Sequence, residues 1–555
     1  MNIFCHHFKL SSLLLVVLLI GSVKSFAAAG THWKSATVYF IFLDRFKNGD
    51  SSNDYAYGRP ETPAKLRGFV GGDIRGVIQQ LESGYFSNLG IDTLWLTPIF
   101  EQIHGVDTSS GTTYAYHGYW PKDFTQIDAN FGSKDDFKEL VTLAHSKGIR
   151  ILFDVIINHT GPQTTIDDAW PASWVRTRPL CNWSSYIQNT GCALATSLTD
   201  MRTDSSLEVT LPEWLKVKWR EEGRLQQELA ELDDYFSRTQ HPRLPKYYLI
   251  KWLSDWVREF GIDGFRVDTA KHIEPEVWAE LKIEADLALN EWRSRNPHRI
   301  SPDLPFYMLG EVMHWGLKGF KNAIEETGEY DFGDKRVNYF DFSFDGLINM
   351  GFPEHLNMSA KQLFLDYSNA LNSEPMQSFG TLNYISSHDD PESYDRERKF
   401  PYQTAFKLMM APGAAQIYYG DELARPLLAP EALGDASLRV PMNWADLALP
   451  STQQLLLHWQ KLGQFRNQYR AIGAGQHTVL SETPYTFARE LKDLPSVIVA
   501  ASLPSGKKNI PVGDYFANGS WLKDHYSGQS VQVIDGSVTL DNMFNYALLA
   551  EKATN

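Results

Sequence analysis

The chain predicts an α/β fold: a (β/α)8 barrel with an inserted subdomain after its third strand and a C-terminal all-β sandwich domain. Three observations carry that expectation. Short β-like runs alternate with helical patterns eight times between Thr37 and Tyr419. No Gly-rich dinucleotide-binding turn follows the first strand, as a doubly wound sheet would require. Residues 159–246, between the third strand and the next strong helix, are far too many for a plain βα connection.

In order, the first strand covers 37–42 and the second 91–96, with a helix through Val77, Ile78 and Leu81 between them. Ser133, followed three residues later by Asp136, resembles a capping box opening a helix through Phe137, Leu140, Val141 and Ala144. Gly148 stops that helix, and 149–157 follows as a fully buried strand. Leu249, Trp252, Leu253, Trp256, Val257 and Phe260 recur at helical spacing until Gly261, and the fourth strand is 264–267. Strands five to eight are expected at 306–309, 339–344, 381–386 and 415–419. The insert, 159–246, reads as loop-like and Trp-rich. Beyond Trp444 a helical stretch near 455–465 leads to alternating segments at 485–491, 496–500 and 531–540, the last holding an Asp535-Gly536 hairpin turn. The expected division is a leader over 1–29, the barrel over 30–445 and the β-domain over 446–555.

A chain of 555 residues with 43% hydrophobic and 21% charged residues can build a large core and is not disordered. Its net charge of −15, without a basic run, excludes nucleic acid and anionic membrane as natural partners. The apolar run Leu13 to Ile20, preceded by Lys9 and followed by Ala27-Ala28-Ala29, is a secretory signal pattern too short to span a bilayer. Export to the periplasm or medium follows, with no membrane association after cleavage. Of three cysteines, Cys5 falls in that leader; Cys181 and Cys192 remain as an expected disulfide, two free buried thiols being the alternative.

Function in such a barrel sits where strands end at the C-terminal face. The fourth strand ends Arg266-Val267-Asp268, the fifth ends Gly310-Glu311 and the seventh ends His388-Asp389. Three carboxylates converging beside an arginine suit glycosidic bond cleavage. One carboxyl must stay protonated for the leaving oxygen while another attacks, or assists water, at the anomeric carbon.

These strand ends, with residues 261–272 and 411–422, resemble the signature regions of the α-amylase superfamily of glycoside hydrolases, nearest its bacterial periplasmic members. The resemblance implies a retaining double displacement with Asp268 as nucleophile, Glu311 as general acid and base, and Asp389 stabilising the distorted sugar. It implies that Arg266 orients Asp268, that His159 and His388 hydrogen-bond the same sugar, and that Lys271 and His272 line the leaving-group side. Tyr116-His117-Gly118-Tyr119-Trp120 matches the family's second-strand loop, which puts Tyr119 against the sugar and His117 and Trp120 in substrate binding.

The resemblance also implies Ca2+, held by Asn158, Asp200 and the backbone oxygen of His272; Thr199 replaces the usual proline before Asp200. A second calcium cluster, similar to that of cyclodextrin glucanotransferases, would use Asn48, Asp50, Asn53, Asp54, Gly71 and Asp73. Ser387, where chloride-dependent relatives carry Asn, argues against chloride activation. The expected activity is hydrolysis of internal α-1,4-glucosidic bonds of starch, glycogen or maltodextrins by a monomer. A transglycosylase or cyclodextrin-degrading enzyme would share the same catalytic residues, and a non-catalytic carbohydrate-binding protein is the remote alternative.

Overall fold

Eight parallel strands close on themselves in the computed structural model, which describes residues 31–59, 64–108, 112–298 and 304–552. They are β1 (Thr37–Ile41), β2 (Thr93–Leu96), β3 (Arg150–Val155), β4 (Gly264–Val267), β5 (Tyr307–Gly310), β6 (Gly346–Asn349), β7 (Gly380–Tyr384) and β8 (Ala414–Tyr418). Each pairs with the next, and Thr37 opposite Ala415 joins β1 to β8. Every residue of these strands is buried, because helices cover the outer face and side chains fill the lumen. The expected leader, 1–29, lies outside the described residues. No helix among those described is long and apolar enough to cross a membrane.

Local signals place the covering helices. The Ser133 hydroxyl accepts from Asp136 N at 3.2 Å and the Asp136 carboxylate accepts from Ser133 N at 2.9 Å, a complete capping box for the helix Lys134–Ser146. The helix Pro245–Phe260 ends on Gly261 at φ 73°, where a Cβ would strike the Trp292 ring at 2.3 Å.

The sixth strand differs from expectation. Residues 339–344 alternate aromatics as a strand would, yet Tyr339–Phe342 is a 3-10 turn and the barrel strand is Gly346–Asn349. Asn338 Oδ1 accepts from Phe340 N at 3.2 Å, Phe340 stacks on Phe379 at 3.9 Å, and Ser343 at φ 71° ends any extended run. Tyr339 meets Phe344 edge-on at 6.0 Å while Phe340 packs on Phe379, so the alternation carries no sheet register.

The insert is more regular than expected. His159–Thr160, Thr199–Met201 and Val175–Arg176 form a three-stranded antiparallel sheet, and the helices Glu213–Glu221 and Leu225–Thr239 fill the second half. Few apolar residues per turn (Leu215 and Trp219, then Leu232, Tyr235 and Phe236) hide those helices among charges. Cys181 and Cys192 are disulfide-bonded.

The C-terminal domain is a six-stranded sheet facing a two-stranded ribbon across Ile498, Ile510, Leu522, Val538, Leu540 and Leu549. Asp535 and Gly536, at φ 47° and 66°, turn the chain from one layer to the other. Two buried arginines tie this domain to the barrel. Arg466 Nη1 donates to the carbonyls of Met409 and Ala411, both at 2.9 Å, and Arg489 donates to Met410 O at 3.1 Å and Ile472 O at 2.5 Å.

Candidate active site

The barrel lumen holds one guanidinium among several carboxyls. Arg266, in β4, places Nη1 2.9 Å from Asp154 Oδ1 of β3 and 2.8 Å from Asp268 Oδ1, while Nη2 lies 3.1 Å from Glu311 Oε2 beyond β5. Thr269 sits at φ 49°, a conformation β-branched residues rarely adopt, and its N–H thereby meets Glu311 Oε2 at 2.8 Å. Strain in that turn thus aims an amide at a carboxyl. Beyond β7, Asp389 accepts from Ser387 Oγ at 2.9 Å and lies 3.6 Å from His388 Nδ1.

Arg266, Glu311 and Asp389 open on a cleft of about 950 Å³ that Trp95, Tyr384 and His388 also line. Asp389 is the exposed carboxylate, with its side chain 29% accessible against 8% for Asp268 and 5% for Glu311. One cation cannot hold three buried carboxyls, Asp154, Asp268 and Glu311, all ionised. Burial pushes Glu311 up to about 8, with Arg266 opposing and the charges of Asp268 and Asp389 adding. Burial raises Asp268 to about 6 against Arg266, with Asp154 adding. Burial would raise Asp389 too, but His388, Arg266 and Ser387 outweigh it and hold that carboxyl below its ordinary value. Such a site carries one protonated carboxyl beside ionised ones at neutral pH.

Most of the surrounding side chains are imidazoles or aromatic rings. Burial lowers His159 to about 4, lowers His388 to about 3 against the opposing charge of Asp389, and lowers His117 well below its ordinary value with help from Arg439, so His117 and His159 are uncharged hydrogen-bonding groups. Tyr119 stacks on His388 at 5.3 Å and donates its hydroxyl to Asp154 at 2.8 Å. Lys271 Nζ donates to Tyr330 OH at 3.1 Å, and His272 Nδ1 lies 3.1 Å from Asn189 O. Trp120 meets His117 edge-on at 4.7 Å and packs with Ile103 and Ala115, behind the imidazole. Sequence inspection gave no role to Asp154, though it ends β3, nor to Arg439, whose Nε donates to His388 O at 3.0 Å. Nothing in the pattern around Arg439 marks it.

The two expected cation sites differ in chemistry. Among the described residues no group of three or more His, Cys, Asp or Glu side chains converges on a metal position, so any cation must lean on amide and backbone oxygens. At the inner cluster Asn158 Oδ1 and Asp200 Oδ2 are both buried without a hydrogen-bond partner; Arg176 Nε lies 2.6 Å from Asp200 Oδ2 as an ion pair, and Arg176 also pairs with Asp204. A guanidinium already supplies positive charge there, beside the two orphaned oxygens. At the outer cluster Asn53 Oδ1 is buried and unpartnered, Asn48 Nδ2 donates to Asp54 Oδ1 at 2.8 Å, and a Cβ on Gly71 would strike both side chains. Those oxygens fit a hard cation. Asp73, expected in that set, instead accepts from Gly49 N, Asp50 N and Gly76 N and caps the helix Ile74–Glu82.

The family model described as "Alpha amylase, catalytic domain" matches residues 40–426. The periplasmic α-amylase of Escherichia coli (strain K12) is 35% identical over 544 residues, covering 87% of this chain and 75% of that protein. A cyclomaltodextrinase of Geobacillus thermopakistaniensis is 26% identical over 520 residues, covering 90% of this chain and 74% of its own length. The solved structure of an α-amylase from Geobacillus thermoleovorans, complexed with acarbose, superposes with a TM-score of 0.63 at 20% identity over 94% of this chain and 99% of that one, a likeness of fold.

Proposed function

This chain belongs to the α-amylase family of glycoside hydrolases, and from that premise we propose that it is an exported α-amylase cleaving internal α-1,4-glucosidic bonds of starch, glycogen or maltodextrins. What supports this most is Arg266 bridging Asp268 and Glu311, whose shifts leave one carboxyl protonated and the other able to ionise.

In this mechanism the Glu311 carboxyl donates its proton to the glycosidic oxygen as the bond to the anomeric carbon breaks. Asp268 attacks that carbon from the opposite face and forms a glycosyl ester. The Glu311 carboxylate then takes a proton from water, which displaces Asp268 with net retention. Two carboxyls held by one guanidinium favour the close pairing of a retaining enzyme over the wider spacing an inverting one needs for its water. Asp389, more exposed and held ionised, accepts hydrogen bonds from the hydroxyls of the distorted sugar and offsets oxocarbenium charge. Tyr119 faces the ring, His117, His159 and His388 bond its hydroxyls, and Lys271 and His272 meet the leaving sugar.

Ca2+ is assigned to Asn48, Asp50, Asn53, Asp54 and the Gly71 backbone, where it would brace the loop after β1; the orphaned Asn53 oxygen supports this. One chain supplies every residue of the site, consistent with a monomer. Export rests on the leader pattern of residues 1–29. Timed product analysis on maltoheptaose and a cyclodextrin tests the activity. Linear short maltodextrins with initial α-configuration are expected; cyclic or elongated products would overturn the hydrolytic assignment.

A further inference from the structure

The disulfide-closed loop 181–192 bears an aromatic ring that the mechanism above does not use. Trp183 is 51% exposed, although Trp at a protein surface is usually part-covered, and its backbone sits at φ 64°. A bulky residue in the left-handed region is a costly placement that persists only when its surroundings over-determine it. Here they do. Cys181 and Cys192 close the loop. Asn182 Oδ1 accepts from Ser184 N at 3.1 Å. Tyr186 N donates to Asp334 Oδ1 at 2.7 Å, Lys335 Nζ lies 3.8 Å over the Tyr186 ring, and Phe332 meets that ring edge-on at 5.3 Å. The insert is therefore clasped to the hairpin Glu329–Asp331 and Arg336–Asn338, which follows β5.

Trp183 is also linked to the catalytic groups through His272. Its ring meets His272 at 5.4 Å in a T-shaped contact, which together with its exposure leaves ring surface open. His272 follows Lys271, which lies within electrostatic reach of Glu311 and bonds Tyr330 of the same hairpin. Glu311, Lys271, His272 and Trp183 thus run outward from the proton donor. Because Glu311 protonates the leaving oxygen, the departing part of the glucan must lie on this side. A pyranose presents an apolar C–H face that an open indole covers, while its hydroxyls stay in water.

We propose that Trp183, held out by the disulfide loop and its clasp on the hairpin after β5, is a stacking platform for a glucose unit on the leaving-group side of the cleaved bond. This deepens the reading of the site given above and rests on it.

The test compares wild type, Trp183→Ala and Trp183→Phe on maltoheptaose and on α-maltosyl fluoride. Fluoride is too small to reach Trp183, so the second substrate reports the chemistry and the opposite side of the cleft alone. In Trp183→Ala the ratio of kcat/KM for maltoheptaose to that for the fluoride should fall by about tenfold or more, and Trp183→Phe should restore most of it. A ratio within about twofold of wild type in Trp183→Ala would overturn the proposal. Failure of the wild type to hydrolyse either substrate would instead overturn the glycosidase reading. Because Trp183 is half exposed, both variants should fold, which circular dichroism checks.

Discussion

Arg266 Nη1 lies 2.8 Å from Asp268 Oδ1, and the same guanidinium reaches Glu311 through its other terminal nitrogen. A planar fork can serve two carboxyls at once; a lysine, a single point charge, can face only one. Arg266→Lys should therefore lower kcat by about 10²- to 10³-fold with the fold kept. Arg266 pulls both carboxyl pKa values down, so weakening it should move the acid limb of the pH profile upward. A variant with wild-type kcat and an unmoved acid limb would contradict the bridging role.

Asp268 and Glu311 should separate by leaving group. Glu311→Gln should lose about 10³-fold or more on maltoheptaose but far less on α-maltosyl fluoride, because fluoride departs without a proton. Asp268→Asn should lose activity on both substrates, having no carboxylate to attack. Steady-state kinetics on the two substrates reads the difference; equal losses in Glu311→Gln would remove it from the acid role.

The pH profile of kcat/KM should be a bell. Asp268 must be ionised, and burial has raised it to about 6, so activity falls as pH drops through that value. Glu311 must be protonated, and burial has raised it to about 8, so activity falls as pH climbs through that value. With α-maltosyl fluoride, where the first proton is not needed, the alkaline limb should weaken when glycosylation limits the rate. An alkaline limb identical for both substrates would assign it to another group.

Calcium should act at the outer cluster alone. Chelation should lower the wild-type Tm by roughly 3–8 °C, and Asp54→Asn should abolish that sensitivity. Asp200→Asn should lower Tm by itself, since Arg176 loses one of its two carboxylates, yet keep the chelator shift. Calorimetry with measured calcium content decides. Loss of bound calcium in Asp200→Asn would mean that the ion and the guanidinium share the inner cluster.

The barrel strands and the strand-end carboxylates were legible because burial on both faces writes continuous apolar runs, and because catalysis in this architecture gathers where those runs stop. The stretch 339–344 misled because its aromatics alternate for packing reasons of their own, Phe340 against Phe379. The helices of the insert were hidden by their charge, with Leu215 and Trp219 as the buried anchors of the first. Arg176 and Arg439 were unreadable for another reason. A lone arginine gains meaning only from what the fold sets beside it, Asp200 in one case and the His388 carbonyl in the other.

The C-terminal domain gives Arg466 and Arg489 a bearing on engineering. Their guanidinium groups fill the space beneath the segment leading into β8, meeting main-chain oxygens rather than acidic partners. Such a seam has no easy cut point. Trimming the chain after the barrel would strand carbonyls in an apolar floor, so shortened or chimeric versions should precipitate on expression unless the replacement module brings matching donors.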